Sequence, residues 1–249
     1  MNKYTIVLLL CVESVIYSCN NKQMNTAQLP DIVASYTDSE MKIDGLLTES
    51  VWQKTQAVVL RENRTGESVT DTSYLTIVRI AYDQLNLYIA FACNDPDIWG
   101  NFTERDQYLW TEENVEVFVD TDTISNTYVE IEVSPNNVIF DSYVVDPVNI
   151  DIEATKKFDL KGIKTAVTVD GTVNVESDRD KRWIVEISVP FKDLVDENYM
   201  IIPGKTEWRI NFYRIDRKRT GESTGYAWSP TGARFHKPSV FGILDFGRQ

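Results

Sequence analysis

The stretch "VEVFVDTD", residues 115–122, sets Val115, Val117 and Val119 against Glu116, Phe118 and Asp120. Side chains on an extended strand alternate between faces with a period of two, so this segment is a strand with one apolar face and one acidic face. The pattern recurs along the chain. "YLTIVRIAYD" and "LYIAFACND" flank a tight turn at 83–86 and predict a hairpin. "TYVEIEVS" follows "VEVFVDTD" across "TISN" and predicts a second, with Val129, Ile131 and Val133 completing the core face and Tyr128, Glu130 and Glu132 lying opposite. "IKTAVTVDGTVNVES" turns at Asp170-Gly171, and "RWIVEISVPF" and "EWRINFYRID" are long strands. Helical signals are few. "MKIDGLLTESVWQK" reads as a short strand, an Asp44-Gly45 turn and a helical turn opened by Thr48, with Val51 and Trp52 on the core. "PFKDLVDEN" is a second short helix. Many short strands with turns between them define an all-β class: a single antiparallel β-sandwich, immunoglobulin-like or jelly-roll, with one or two short helices.

Charge and histidine content remove whole classes of function. Across 249 residues the formal net charge is −13, opposite to what a nucleic-acid partner requires. There is one histidine, His236, which excludes a zinc site built on several histidines and disfavours a Ser-His-Asp triad. No haem is expected either, because an axial pair needs a second histidine or a methionine beside it.

Residues 1–18 read as a lipoprotein signal peptide. Lys3 precedes the apolar run "YTIVLLLCV", too short for a membrane span of about 20 residues, and the run closes at "VIYSC". Cleavage before Cys19 leaves that cysteine to be lipidated; the alternative is an ordinary secretory signal cut nearby. Residues 19–38 are polar and aperiodic and are expected to be a flexible tether, with the folded domain spanning 39–249. These features imply a protein held by its lipid alone at the envelope of a Gram-negative bacterium, on the periplasmic or surface face of the outer membrane. Cys93 lies at core parity and reads as a small buried hydrophobe.

Function is expected in the loops 94–114, 146–160 and 216–239. Trp99, Trp110 and Trp228 lie in or beside them, whereas Trp52, Trp183 and Trp208 fall at core parity. Indole faces on loops are platforms for the C–H face of a sugar ring, with carboxylates, amides and guanidinium groups bonding the hydroxyls; Arg214 joins the candidates on that ground. The simplest expectation for the acidic face of the opening strand is a solvated outer surface. A glycosidase pair there, Glu116 with a second carboxylate, lacks opposed geometry and an apolar pocket to raise one pKa. Asp95 and Asp97 in "CNDPDIW", with Asp120 and Asp122 in "VDTDT", offer oxygen ligands for a structural calcium, though neither run is an EF-hand loop.

The ordered set "DGLLTESVW", "IAYDQLNLYIAFACND", "LWTEENVEVFVD", "WIVEISVPFKDL", "WRINFYRID", "YAWSP" and "HKPSVFGILDF" resembles the family 9 carbohydrate-binding modules, from about Met41 to Phe246. The resemblance implies a β-sandwich that binds sugar between two aromatic residues, with structural calcium in some members. By position it makes Trp110 the first platform, Glu116 the hydroxyl-bonding carboxylate and Phe235 the second platform. Trp228 and His236 are further aromatic candidates nearby. No arginine aligns with that of the family's sugar site, where this chain reads "YVEIEV". The expected function is non-catalytic glycan capture beside separately encoded glycoside hydrolases. The alternatives are a glycan-active enzyme using Glu116, or a structural envelope module without sugar binding.

Overall fold

The computed structural model of the protein describes residues 29–248 apart from 125 and 197; the signal peptide and Cys19 lie outside the described residues. The chain runs β1 (Asp31–Tyr36), helix α1 (Ser50–Lys54), β2 (Ala57–Val59), β3 (Arg61–Glu62), β4 (Thr76–Tyr82), β5 (Asn86–Asn94), β6 (Asn114–Asp120), β7 (Tyr128–Val133) and β8 (Ile139–Val144). It continues through α2 (Ile152–Thr155), β9 (Lys164–Asp170), β10 (Arg182–Pro190), α3 (Phe191–Leu194), β11 (Glu207–Arg217), β12 (Ser223–Ala227) and β13 (Gly242–Phe246).

Two sheets face each other. One is ordered β8-β7-β6-β11-β13-β1 and the other β1-β4-β5-β10-β9, with β2 added on β4 and β12 and β3 added beside β11. Pairing is antiparallel except at β1, which runs parallel to β13 through Asp31–Ala34 and parallel to β4 through Ser35 and Tyr36. One strand thus joins both sheets along one edge of the sandwich. The two predicted hairpins form, Val78 opposite Phe91 and Val117 opposite Ile131.

The core between the sheets follows from the alternation. Val115, Val117, Val119, Val129, Ile131 and Val133 point inward with Ile210 and Phe212, against Ile80, Ile89, Phe91, Val185 and Ile187. Burying each aliphatic side chain is worth about 1.5–3 kcal/mol, and this shared layer stabilises both sheets at once. Trp183, Trp208 and Cys93 are fully enclosed, and burial pushes the Cys93 thiol up to about 12. Against the outside of the second sheet, α1 packs Val51 and Trp52. Glu186 there accepts from Trp52 Nε1 at 2.9 Å and from the backbone N–H groups of Asp44 and Gly45 at 3.0 and 2.7 Å. Gly45 has φ +76°, and a Cβ on it would stand 2.9 Å from Thr168 Cγ2, so this tight turn requires glycine.

Several expectations need correction. The stretch 19–38 is not all tether: β1 occupies 31–36, and Ile32 and Ala34 are fully buried. Its apolar triplet Ile32-Val33-Ala34 shows no alternation, which hid the strand. The interval 216–239 contains β12 rather than loop alone. Helix α1 is capped at Glu49 without a side-chain bond, not at Thr48, and there are three α-helical turns of four or five residues among the described residues.

Candidate functional site

The acidic face of β6 and β7 is not a solvated surface. Glu116, Glu130 and Glu132 are only 2, 4 and 1 % exposed. The strand register causes their meeting: Glu116 sits directly opposite Glu132, and Glu130 opposite Phe118. Oxygens from all three lie within 4.8 Å of one another. Asn114 Nδ2 donates to Glu132 at 2.6 Å and Glu116 at 3.2 Å, and the Ser142 hydroxyl donates to Glu130 at 2.9 Å.

Loops cover this face. Phe102, Trp110 and Ile152 pack with Leu109 and Phe140, while Ile150 and Phe235 pack with Phe118, Tyr128, Tyr213 and Phe241. All three segments marked as long loops therefore converge here. Trp110 occupies a 3-10 turn at Leu109–Thr111, half-buried, stacked on Tyr108 at 4.6 Å and edge-on to Phe140 at 5.3 Å. Phe235 stacks on Tyr213 at 4.3 Å, and the Tyr213 hydroxyl donates to the Phe235 carbonyl at 2.9 Å. His236 stacks on Phe118 at 5.3 Å, its Nδ1 2.6 Å from the Tyr128 hydroxyl.

Enclosure sets the electrostatics. Loss of water around Glu116 and Glu132, and then their mutual repulsion with Glu130, raise both carboxyls well above the usual range. Burial pushes Glu130 up to about 7, opposed by the Ser142 hydrogen bond. The raised carboxyl pKa that a glycosidase pair was expected to lack is thus present, although the groups are sealed from solvent. Burial, followed by the charge of Arg234, lowers His236 to about 4, which keeps its ring neutral at pH 7.

The six residues grouped from the sequence do not form one site. Trp110, Glu116 and Phe235 share the covered outer face. Arg214 has the opposite parity on β11: it is fully buried at the inner end of the sandwich, with Nη2 2.6 Å from Asp95 and Nη1 2.7 Å from the Asn94 carbonyl, and is committed to those partners. Trp228 is only 8 % exposed and leans on Phe212 at 5.6 Å, beside a cleft of about 480 Å³ lined by Pro30, Leu60 and Pro230. Trp99 is half-buried; its Nε1 donates to the Arg217 carbonyl, and the Arg219 guanidinium stands 5.8 Å over its ring.

The four aspartates offered for calcium do not gather either. Asp95 pairs with Arg214, and Asp97 with Arg219 at 2.8 Å. Asp120 accepts from the backbone of Asp122 and Thr123, closing the turn after β6. Asp95 and Arg214 belong to the Asn114 end of β6 and Asp120 to its other end, six residues and roughly 20 Å along the strand. Sequence reading placed Tyr128 on this face by alternation but missed Asn114, Ser142 and Tyr213 as lining residues, because the register that adds them depends on tertiary pairing.

The fold and this face define a sandwich module with an enclosed acidic patch under aromatic loops. A family profile described as "Carbohydrate family 9 binding domain-like" matches residues 43–247, and the chain belongs to that family. An "Extracellular protein" of Arthroderma benhamiae is 28 % identical over 179 residues, 69 % of this chain and 78 % of that one. A family 9 carbohydrate-binding module from Caldicellulosiruptor kristjanssonii in complex with cellotriose superposes with a TM-score of 0.61 at 18 % identity, covering 88 % of this chain and 95 % of that chain. A family 9 module from the same organism in complex with glucose gives 0.58 at 18 % identity, covering 88 % and 97 %. At that identity the likeness establishes the fold.

Proposed function

We propose that the protein is a non-catalytic carbohydrate-binding lipoprotein that captures glycans or oligosaccharides at the bacterial envelope. The observation that carries this reading is the grouping of Trp110, Glu116 and Phe235 on one face of a family 9 sandwich. An indole offers an apolar face to sugar C–H groups, and Glu116 offers oxygens to hydroxyls. The Caldicellulosiruptor modules, solved with cellotriose and glucose, support a carbohydrate as the ligand class. Because Glu116 is enclosed, hydroxyls reach it only when the segment carrying Phe235 and His236 lifts from Tyr213 and Phe118. Gly232 is tied to Asn63 through its own N–H at 3.1 Å and its carbonyl at 2.6 Å, so such a movement turns on the chain between Gly232 and Phe235.

Attachment rests on Cys19 as the acylated residue. Among the described residues no helix is long and apolar enough to cross a membrane. In this reading the anchor is covalent lipid on Cys19, and the role is support of polysaccharide catabolism by separately encoded hydrolases. Palmitate labelling of wild type and Cys19→Ala tests the anchor: label on wild type alone is expected, and an unlabelled wild type overturns it.

A glycan-array screen followed by calorimetry tests the binding. Trp110→Ala and Glu116→Gln are each expected to weaken a confirmed ligand about tenfold or more, as loss of about 1–3 kcal/mol implies. Undiminished binding by both variants refutes the site. The raised carboxyls favour a second reading, glycan hydrolysis by Glu116 with Glu130. New reducing ends after long incubation with the bound oligosaccharide, lost in Glu116→Gln, would establish it in place of simple binding.

A further inference from the structure

The sandwich provides counter-charges or several donors for most of its other deep acidic groups; Glu113, 1 % exposed with Oε2 unpartnered, is an exception. Asp95 and Asp216 face Arg214, Asp141 pairs with Arg105, and Glu186 receives three N–H groups. Glu116, Glu130 and Glu132 receive no cation: among the described residues no Lys, Arg or His makes an ion pair with any of them. Three carboxylates a strand spacing apart, taken out of water without a positive partner, form an incomplete arrangement.

Asn114 supplies an independent sign of what completes it. Its side chain is fully buried and its amide is directed into the cluster, yet its Oδ1 has no hydrogen-bond partner. Turning that amide by 180° presents Oδ1 to the carboxylate oxygens. This is repulsive against bare carboxylates and favourable around a cation. The donor set is then all oxygen: three carboxylates, an amide carbonyl and, beside Glu130, the Ser142 hydroxyl. Such a set selects a hard divalent ion over zinc or copper. Three oxygens no more than 4.8 Å apart lie within roughly 2.8 Å of a common point, a few tenths of an ångström beyond a calcium–oxygen distance of about 2.4 Å, so small side-chain shifts let one ion touch all three.

We infer that Glu116, Glu130 and Glu132, with Asn114, bind one divalent cation of the calcium type on the outer face of the sheet, at a place distinct from Asp95, Asp97, Asp120 and Asp122. The ion supplies the positive charge the face lacks and ties β6 to β7 beneath the loops. It does not require that the protein bind sugar.

The experiment is calcium titration of chelator-treated protein by calorimetry, with elemental analysis of the unstripped protein. One equivalent is expected, with a rise in melting temperature on adding calcium. Glu130→Gln and Glu132→Gln should each weaken uptake tenfold or more, while Asp97→Asn and Asp120→Asn leave it unchanged. Terbium on wild type gives a readout that survives poor folding of those variants. Its emission, excited through the neighbouring Trp110, should be quenched by competing calcium and fall in Trp110→Leu. Failure of the stripped wild type to take up calcium or terbium overturns the site. So does uptake that persists in both glutamine variants or vanishes in the aspartate variants. Sugar binding that continues in chelator, with no metal taken up, refutes the cation and leaves the sugar reading standing; metal uptake without any glycan ligand does the reverse.

Discussion

Acidification should weaken the fold through one residue, His236. Its imidazole is stacked on Phe118 and bonded to Tyr128, and burial lowers its pKa from 6.5 to about 4. An unfolded chain protonates the ring near pH 6.5, whereas the folded protein resists until about 4. The contribution is therefore intact above pH 6.5, is lost progressively as pH falls toward 4, and levels off below. At pH 4.5 the linkage amounts to about 2.5 kcal/mol, against a few tenths at pH 7. Raised carboxyls act in the opposite sense: Glu130, pushed up to about 7, binds its proton more readily folded than unfolded, so the fold gains stability as pH drops through that range. The wild-type profile is a sum of both, and only a difference isolates the imidazole. The assay is urea unfolding of wild type and His236→Gln, which cannot charge, at pH 7 and 4.5. The variant should be the less stable at pH 7 through lost stacking, and its deficit should shrink or reverse by about 2 kcal/mol at pH 4.5. Equal losses in both proteins across that interval would refute the argument.

Other perturbations have equally direct readings. Arg214→Met removes the cation facing Asp95 and Asp216, and should cost about 3–5 kcal/mol by urea midpoint at pH 7, because uncompensated buried charge remains. Gly242→Ala places a Cβ 2.2 Å from Trp228 Cζ3 and 2.8 Å from the Pro30 carbonyl oxygen, and should lower stability by about 1–3 kcal/mol in thermal melts. Trp52→Phe keeps a ring packed among Ala81, Tyr88 and Ala90 but strips one donor from Glu186, and a loss of about 1–3 kcal/mol is expected; Glu186→Leu combined with it should recover part of that loss.

Period-two patterning made much of the fold readable. Val115, Val117 and Val119 announced both their strand and the face it buries, and Cys93 and Trp183 fell at core parity on the other sheet. What patterning could not supply was the fate of the opposite face. Glu116 reads as a surface residue because a strand's polar side normally meets water; here long loops cover it, and loop placement is a tertiary fact. Arg214 shows the converse. Its type suggested a surface role, while its parity with Phe212 already put it inside. β1 was missed because Ile32, Val33 and Ala34 are apolar without alternation and follow a polar stretch. The three glutamates were visible one at a time, but their meeting depends on the exact pairing of β6 with β7.

β1 has a temporal consequence. Its partners along Asp31–Ala34 are Ile243–Phe246, at the far end of the domain. Loop closure over more than two hundred residues carries a large entropic cost, and such non-local pairings slow a fold's formation. The sandwich's seam can therefore close only after its last strand has been made. Until then the Glu207–Ile210 stretch of β11 lacks its β13 neighbour, and its unpaired amides and carbonyls are templates for association with other chains. Hydrogen exchange during refolding should show β5 and β10 protected early and β1 last, and a chain cut before Gly242 should aggregate rather than fold.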